Sequence, residues 1–116
     1  MFHLLKKLYF RFMSSVPSLT VEEASDDITK YHVLDVREEW ELKHGTIEPS
    51  IKISMGLVSL RLNELPTDKP LLVVCRSGGR SASVVSYLTS QGFVAYNLIG
   101  GMNSWAQFVD PSIKSY

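Results

Sequence analysis

The chain has 116 residues, 45% of them apolar, which suffices for one compact domain with its own core and is too short for two. Twelve basic and twelve acidic residues cancel, which argues against a general nucleic-acid binder. One cysteine excludes an internal disulfide, and His3, His32 and His44 lie too far apart for zinc-like spacing. No apolar run approaches the ~20 residues of a membrane span.

The opening residues differ from the rest. Residues 2–13 read as a short amphipathic helix, with Phe2, Leu4, Leu5, Leu8, Tyr9, Phe12 and Met13 on one arc and Lys6, Lys7 and Arg11 opposite. No acid occurs before Glu22, so the remainder carries nine basic and twelve acidic residues, a net of −3. Three uses suit such a helix: packing on the domain or a partner, lying on a membrane surface, or directing the chain to an organelle. Ser14 to Ser18 reads as a linker around Pro17. The expected division is a helix and linker over 1–16, a domain over 17–110 and a tail over 111–116.

From there strands and helices alternate. Thr20 and Glu23 form a capping-box signature ahead of Val21, Ala24 and Ile28. A strand is expected over His32–Val36, then a short helix over Glu38–Lys43 with Gly45 at its end. A strand over Ile51–Met55 and a helix over Leu57–Leu65, closed by Pro66, follow. Leu71 to Cys75 is nearly all apolar, as a strand buried on both faces requires. A helix over Ser81–Gln91, a strand within Phe93–Ile99 and a helix around Trp105 and Phe108 complete the chain. This pattern predicts an α/β fold: an open, mostly parallel sheet of about five strands with helices on both faces. Trp40 and Trp105 read as packing anchors, His32 as structural, and His44 as a helix-end residue rather than a base.

Ligands in such sheets bind beyond the carboxyl ends of the strands, where Cys75 sits. The stretch Cys75-Arg76-Ser77-Gly78-Gly79-Arg80-Ser81 joins the most apolar strand to a helix. Two glycines let the backbone curl and aim several N–H groups inward, the helix start adds its unpaired N–H groups, and two arginines add charge. Each favours an anion at the centre, so a thiolate there is expected to have a depressed pKa and to act as a nucleophile. Arg76 is placed to reach over the mouth, and Arg80 to brace the loop by pairing with Asp35 or Glu38. Asp35 ends a neighbouring strand on the same side of the sheet, which leaves both ion pairing and a direct role in the site open to it.

The same segment resembles the active-site loop of rhodanese-like sulfurtransferases. Leu34-Asp35-Val36-Arg37-Glu38 with Trp40 and Glu41, Gly45-Thr46-Ile47, Leu65-Pro66-Thr67-Asp68-Lys69-Pro70, and Leu98-Ile99-Gly100-Gly101-Met102 with Trp105 are similar to that family's other motifs. The likeness spans about residues 17–108. Thr46, where the family usually has histidine, and Glu48-Pro49-Ser50 depart from it. The resemblance implies a persulfide on Cys75, formed from a small anionic donor such as thiosulfate and passed to cyanide or a thiol. The acceptor thiol could belong to a thioredoxin-like or sulfur-carrier protein. Ser77, Gly78, Gly79 and Ser81 would join Arg76, Arg80 and Asp35 around the substrate, with no cofactor and no metal. The cytoplasm is the default compartment, with a mitochondrial or membrane-associated location as alternatives. Two rival readings remain: a sulfur carrier or binding module without turnover, and a phosphatase or arsenate reductase of related fold. Against the second, four residues separate Cys75 from Arg80 where the cysteine phosphatases have five.

Overall fold

The computed structural model describes residues 16–116, so the helix expected over 2–13, with its membrane and targeting readings, lies outside the described residues. Five strands form one sheet in the order β1-β5-β4-β2-β3, every neighbouring pair parallel. They are β1 (Ser18–Leu19), β2 (His32–Asp35), β3 (Ile51–Lys52), β4 (Leu71–Val74) and β5 (Ala95–Leu98). The open α/β architecture expected from the sequence is the one observed.

Among the described residues, three α-helices cover the sheet: α1 (Val21–Asp26), α2 (Gly79–Ser90) and α3 (Gly101–Phe108). Thr20 caps α1 as its spacing predicts: its side chain accepts the Glu23 amide at 3.1 Å and Glu23 accepts the Thr20 amide at 3.0 Å. Strand alternation divides the core in two. Leu34, Val36, Val73, Cys75 and Ala95 face α2 through Ala82, Val85 and Leu88. Val33, Leu72, Val74 and Leu98 face α1 and α3 through Val21, Ala24, Met102 and Trp105.

The central position of β4 explains its composition. It pairs with β2 and β5 and has helices above and below, so all four of its residues are buried. The chain therefore delivers Cys75 at the middle of the sheet's carboxyl edge.

Several elements differ from expectation. The supposed linker contributes Ser18 to β1, and the Pro17 carbonyl accepts the Asn97 amide at 2.8 Å. The helix expected over Leu57–Leu65 is two 3₁₀ turns, Met55–Leu60 and Leu62–Glu64, and Glu39–His44 is also 3₁₀. Short 3₁₀ turns of this kind are common as connectors between longer elements. The strand expected over Ile51–Met55 shortens to Ile51–Lys52. Trp40 is not a packing anchor: it stands 63% exposed, whereas Trp105 is buried. Residues 111–116 run back over the fold, with Ile113 buried against Gly45. No helix among the described residues is long and apolar enough to cross a membrane.

Candidate active site

Cys75 lies just past β4 with 1% of its surface exposed. The chain then turns through Gly78, whose φ of +106° is left-handed and suits a residue without a β-carbon. This turn points the Gly78 amide at the Cys75 sulfur, at 3.1 Å. The Ser81 amide reaches the same sulfur at 3.4 Å, and the Ser81 hydroxyl lies 3.2 Å from it. The Ser81 amide is free to do so because the first N–H groups of a helix have no intrahelical partner.

The loop's carbonyls are held on the other side. The Met102 amide donates to the Cys75 carbonyl at 2.9 Å and the Asn103 amide to the Arg76 carbonyl at 3.0 Å. The start of α3 thus takes up these two acceptors, which leaves the loop's amides facing the sulfur. This close approach needs Gly101, at φ +56°: a β-carbon there would come within 2.5 Å of the Cys75 carbonyl oxygen.

Arg80 braces the loop, but its partner is neither Asp35 nor Glu38. Its Nη1 and Nη2 donate to Glu41 Oε1 and Oε2 at 2.7 and 2.9 Å, a bidentate pair between the start of α2 and the 3₁₀ turn after β2. Glu41 is turned inward by that turn and 2% exposed. The Glu38 amide donates to Glu41 Oε1 at 2.9 Å, and the Tyr116 hydroxyl donates to Oε2. The Arg80 guanidinium, with help from Tyr116 and the Glu38 amide, pulls the Glu41 carboxyl down to about 2 against the opposing effect of burial. The same pairing raises the Arg80 pKa.

Asp35 is occupied elsewhere. Strand alternation turns it toward the α1 and α3 face, away from Cys75, and Arg37 binds it through Nε at 3.0 Å and Nη2 at 2.8 Å. Both side chains are essentially sealed from water. Arg37 also donates to the Gly45 carbonyl at 2.8 Å and to the Tyr116 hydroxyl at 3.2 Å. Of the loop residues expected at the site, Gly78 and Ser81 contact the Cys75 sulfur and Arg80 ties the loop to Glu41, while Asp35 is set apart.

Sequence reasoning missed two polar residues. Asn97, fully buried on β5, accepts the Ser81 hydroxyl at 2.6 Å, which fixes the serine against the sulfur. Its signal was one amide in a strand whose neighbours, Ala95 and Leu98, are buried and apolar. Tyr116 gave no local signal. Arg76 is exposed, with its guanidinium carbon 4.7 Å from the Tyr116 ring centroid. Among the described residues no group of three or more His, Cys, Asp or Glu could hold a metal ion. A hollow of about 330 Å³ lies near the start of β2 and beside β3, around Tyr31, His32 and Ser50, and Cys75 does not line it.

A buried sulfur that accepts from two backbone amides, behind a loop braced by a bidentate ion pair, is the kind of arrangement that stabilises negative charge on that sulfur or on an atom attached to it. The chain is similar to several known proteins. The family model for the rhodanese-like domain matches residues 20–108. The putative sulfurtransferase YtwF of Bacillus subtilis is 33% identical over 93 residues, covering 80% of this chain and 90% of that protein. A sulfurtransferase of Allochromatium vinosum is 30% identical over 96 residues, covering 82% and 90%. The crystal structure of a rhodanese-related protein from Thermoplasma volcanium superposes with a TM-score of 0.76 at 35% identity, covering 78% of this chain and 91% of that one. The chain belongs to the rhodanese-like domain family.

Proposed function

We propose that this protein transfers sulfane sulfur through a persulfide on Cys75. The observation that carries the reading is the pair of backbone amides, of Gly78 and Ser81, that donate to one buried sulfur. In the first step the Cys75 thiolate attacks the outer sulfur of thiosulfate. The S–S bond to Cys75 forms, the sulfur–sulfur bond of the donor breaks, and sulfite leaves with its electron pair. In the second step an acceptor thiol attacks the outer sulfur of the persulfide, takes that sulfur as its own persulfide, and releases the Cys75 thiolate. Cyanide would leave as thiocyanate by the same displacement.

Each half-reaction keeps a negative charge at the loop centre. Donors already aimed there need no reorganisation as the charge moves outward by one sulfur. Arg76 at the rim is placed to attract the anionic donor, and Arg80 with Glu41 holds the loop in shape. Asp35 has a supporting role through Arg37 rather than contact with substrate.

Carriage to a dedicated protein is the second reading. It is favoured by the putative sulfur carrier protein YrkF of Bacillus subtilis, 32% identical over 96 residues, of which this chain covers 52%. Intact-mass analysis after incubation with thiosulfate tests the core of both. The expected result is the gain of one sulfur atom, reversed by cyanide or dithiothreitol and absent in Cys75→Ser. A chain that gains no sulfur, or a Cys75→Ser variant that still does, overturns the proposal. Slow turnover to cyanide with fast transfer to one partner protein would favour carriage.

A further inference from the structure

Tyr116 lies eight residues beyond the stretch that the family model matches, yet it touches four parts of the site's surroundings. Its ring stacks on His44 with centroids 4.3 Å apart and planes 10° from parallel. Arg76 lies over the same ring, its guanidinium carbon 4.7 Å from the centroid. The hydroxyl accepts from Arg37 and donates to Glu41, the carboxylate that holds Arg80. The segment is fastened ahead of this contact: Ile113 is buried against Gly45, and the Lys114 amide donates to the His44 carbonyl at 2.8 Å.

We propose that Tyr116 is a positioning residue for the Cys75 loop, its ring holding Arg76 at the mouth and its hydroxyl squaring Glu41 to Arg80. The proposal deepens the sulfur-transfer reading, because it assigns to residues 113–116 the control of how an anionic reagent meets Cys75. A free arginine side chain samples many rotamers. The electron-rich face of a tyrosine restricts it to one region and keeps its charge there. The hydroxyl acts separately. It fills the outer side of Glu41 Oε2, so the carboxylate stays in the plane of the guanidinium that spans the two elements.

The two functions separate in an alkylation experiment on the full chain, which does not require sulfur transfer. Iodoacetate and iodoacetamide modify the same thiol, but only the first is an anion. The ratio of their rates at Cys75 therefore reads the cation at the mouth, and the iodoacetamide rate alone reads how often the loop opens around a sulfur that is 1% exposed. Tyr116→Leu is expected to lower the ratio roughly two- to fivefold, as is Arg76→Ala, with no further loss in the double variant. Tyr116→Phe keeps the ring. It should leave the ratio in place and raise the iodoacetamide rate roughly two- to fivefold. Additive losses in the double variant, or a ratio unchanged in Tyr116→Leu, overturn the role of the ring. An iodoacetamide rate unchanged in Tyr116→Phe overturns that of the hydroxyl. Tyr116→Phe removes one oxygen from a partly exposed site, so it preserves the fold even if Tyr116→Leu does not. Failure of the sulfur-transfer reading would show instead as a native chain that gains no sulfur from thiosulfate while these ratios behave as stated.

Discussion

The Asp35–Arg37 pair and the Glu41–Arg80 pair are both bidentate, and their carboxylates lie six residues apart in the chain. The first joins residues two apart, at the end of one strand, with 0% and 1% of the side chains exposed. The second joins residues 39 apart and ties a 3₁₀ turn to the start of α2, with Arg80 still 35% exposed. Burial without reach makes the first pair part of the scaffold under the sheet edge. Reach with partial exposure makes the second a tie across the site, able to fix the loop while exchanging with water. The same chemistry thus serves stability in one place and geometry in the other.

The largest effect should come from breaking the scaffold pair. Asp35→Ala leaves the Arg37 guanidinium buried with one neutral carbonyl and one hydroxyl as partners, at a cost of about 3–5 kcal/mol. That is a large share of the 5–15 kcal/mol typical of a domain. Urea unfolding followed by tryptophan fluorescence checks this. Adding Arg37→Met should recover much of the loss, since an apolar side chain has no charge to strand. A loss below about 1 kcal/mol in Asp35→Ala would remove the distinction between the two pairs.

Breaking the tie should cost less stability and more function. In Glu41→Gln, Arg80 loses its charged partner but can turn to solvent, so the expected loss is about 1–2 kcal/mol. The loop's amides then drift from the sulfur, and kcat for the proposed transfer should fall roughly tenfold to a hundredfold. Stopped-flow persulfide formation and a thermal melt on the same sample decide it. Normal kinetics with a large drop in melting temperature would make this pair a second scaffold element.

Acid sharpens the contrast. Glu41 is held down to about 2 in the folded chain from an ordinary 4.5, chiefly by Arg80. A depressed carboxyl stabilises the fold at pH values above its unfolded pKa, and that contribution fades as pH falls from about 4.5 toward 2. Two and a half units set an upper bound near 3 kcal/mol. Solvent around the partly exposed Arg80 screens the pair, so roughly 1–2 kcal/mol is expected. The stability gap between the native chain and Glu41→Gln should therefore shrink steadily between pH 5 and pH 2. A gap constant over that range would mean that the ionised carboxylate is not what holds the tie.

The sequence made the Cys75 loop readable because several local signals converge within the eleven residues from Leu71 to Ser81: an all-apolar strand, a glycine pair, two arginines and a helix start. The alternation of strands and helices was readable for the same reason. What escaped were features set by tertiary contact. β1 has two residues and exists only because β5 offers it an open edge. Arg80's partner depends on a 3₁₀ turn in which Glu38 is only the N-cap residue and Glu41, inside the turn, is the buried one, and no spacing rule distinguishes those two glutamates in advance. Asp35 was judged by its place at a strand end. Its face was decided by alternation, and it points away from Cys75. Asn97 and Tyr116 reach the site from 22 and 41 residues downstream of Cys75, beyond any local pattern.

The smallest effect on stability, and the most selective on function, should come from Arg76. It is exposed, it is not part of either pair, and its contact with the Tyr116 ring is a surface contact. Arg76→Ala should therefore change stability by no more than about 0.5 kcal/mol, within the ordinary range for exposed sites. On the proposed mechanism its charge draws in the dianionic donor, so KM for thiosulfate should rise roughly two- to tenfold while kcat changes little. Salt supplies the control. Attraction between an exposed cation and a dianion weakens as the Debye length shortens, so kcat/KM of the native chain should fall between low and physiological salt, and that of Arg76→Ala should fall less. Arg80→Ala makes the opposite profile: a lower melting temperature, a lower kcat and an undiminished salt dependence. If the two profiles were exchanged, the tie would be dispensable for the loop, and Arg80 rather than Arg76 would be the residue that draws in the donor.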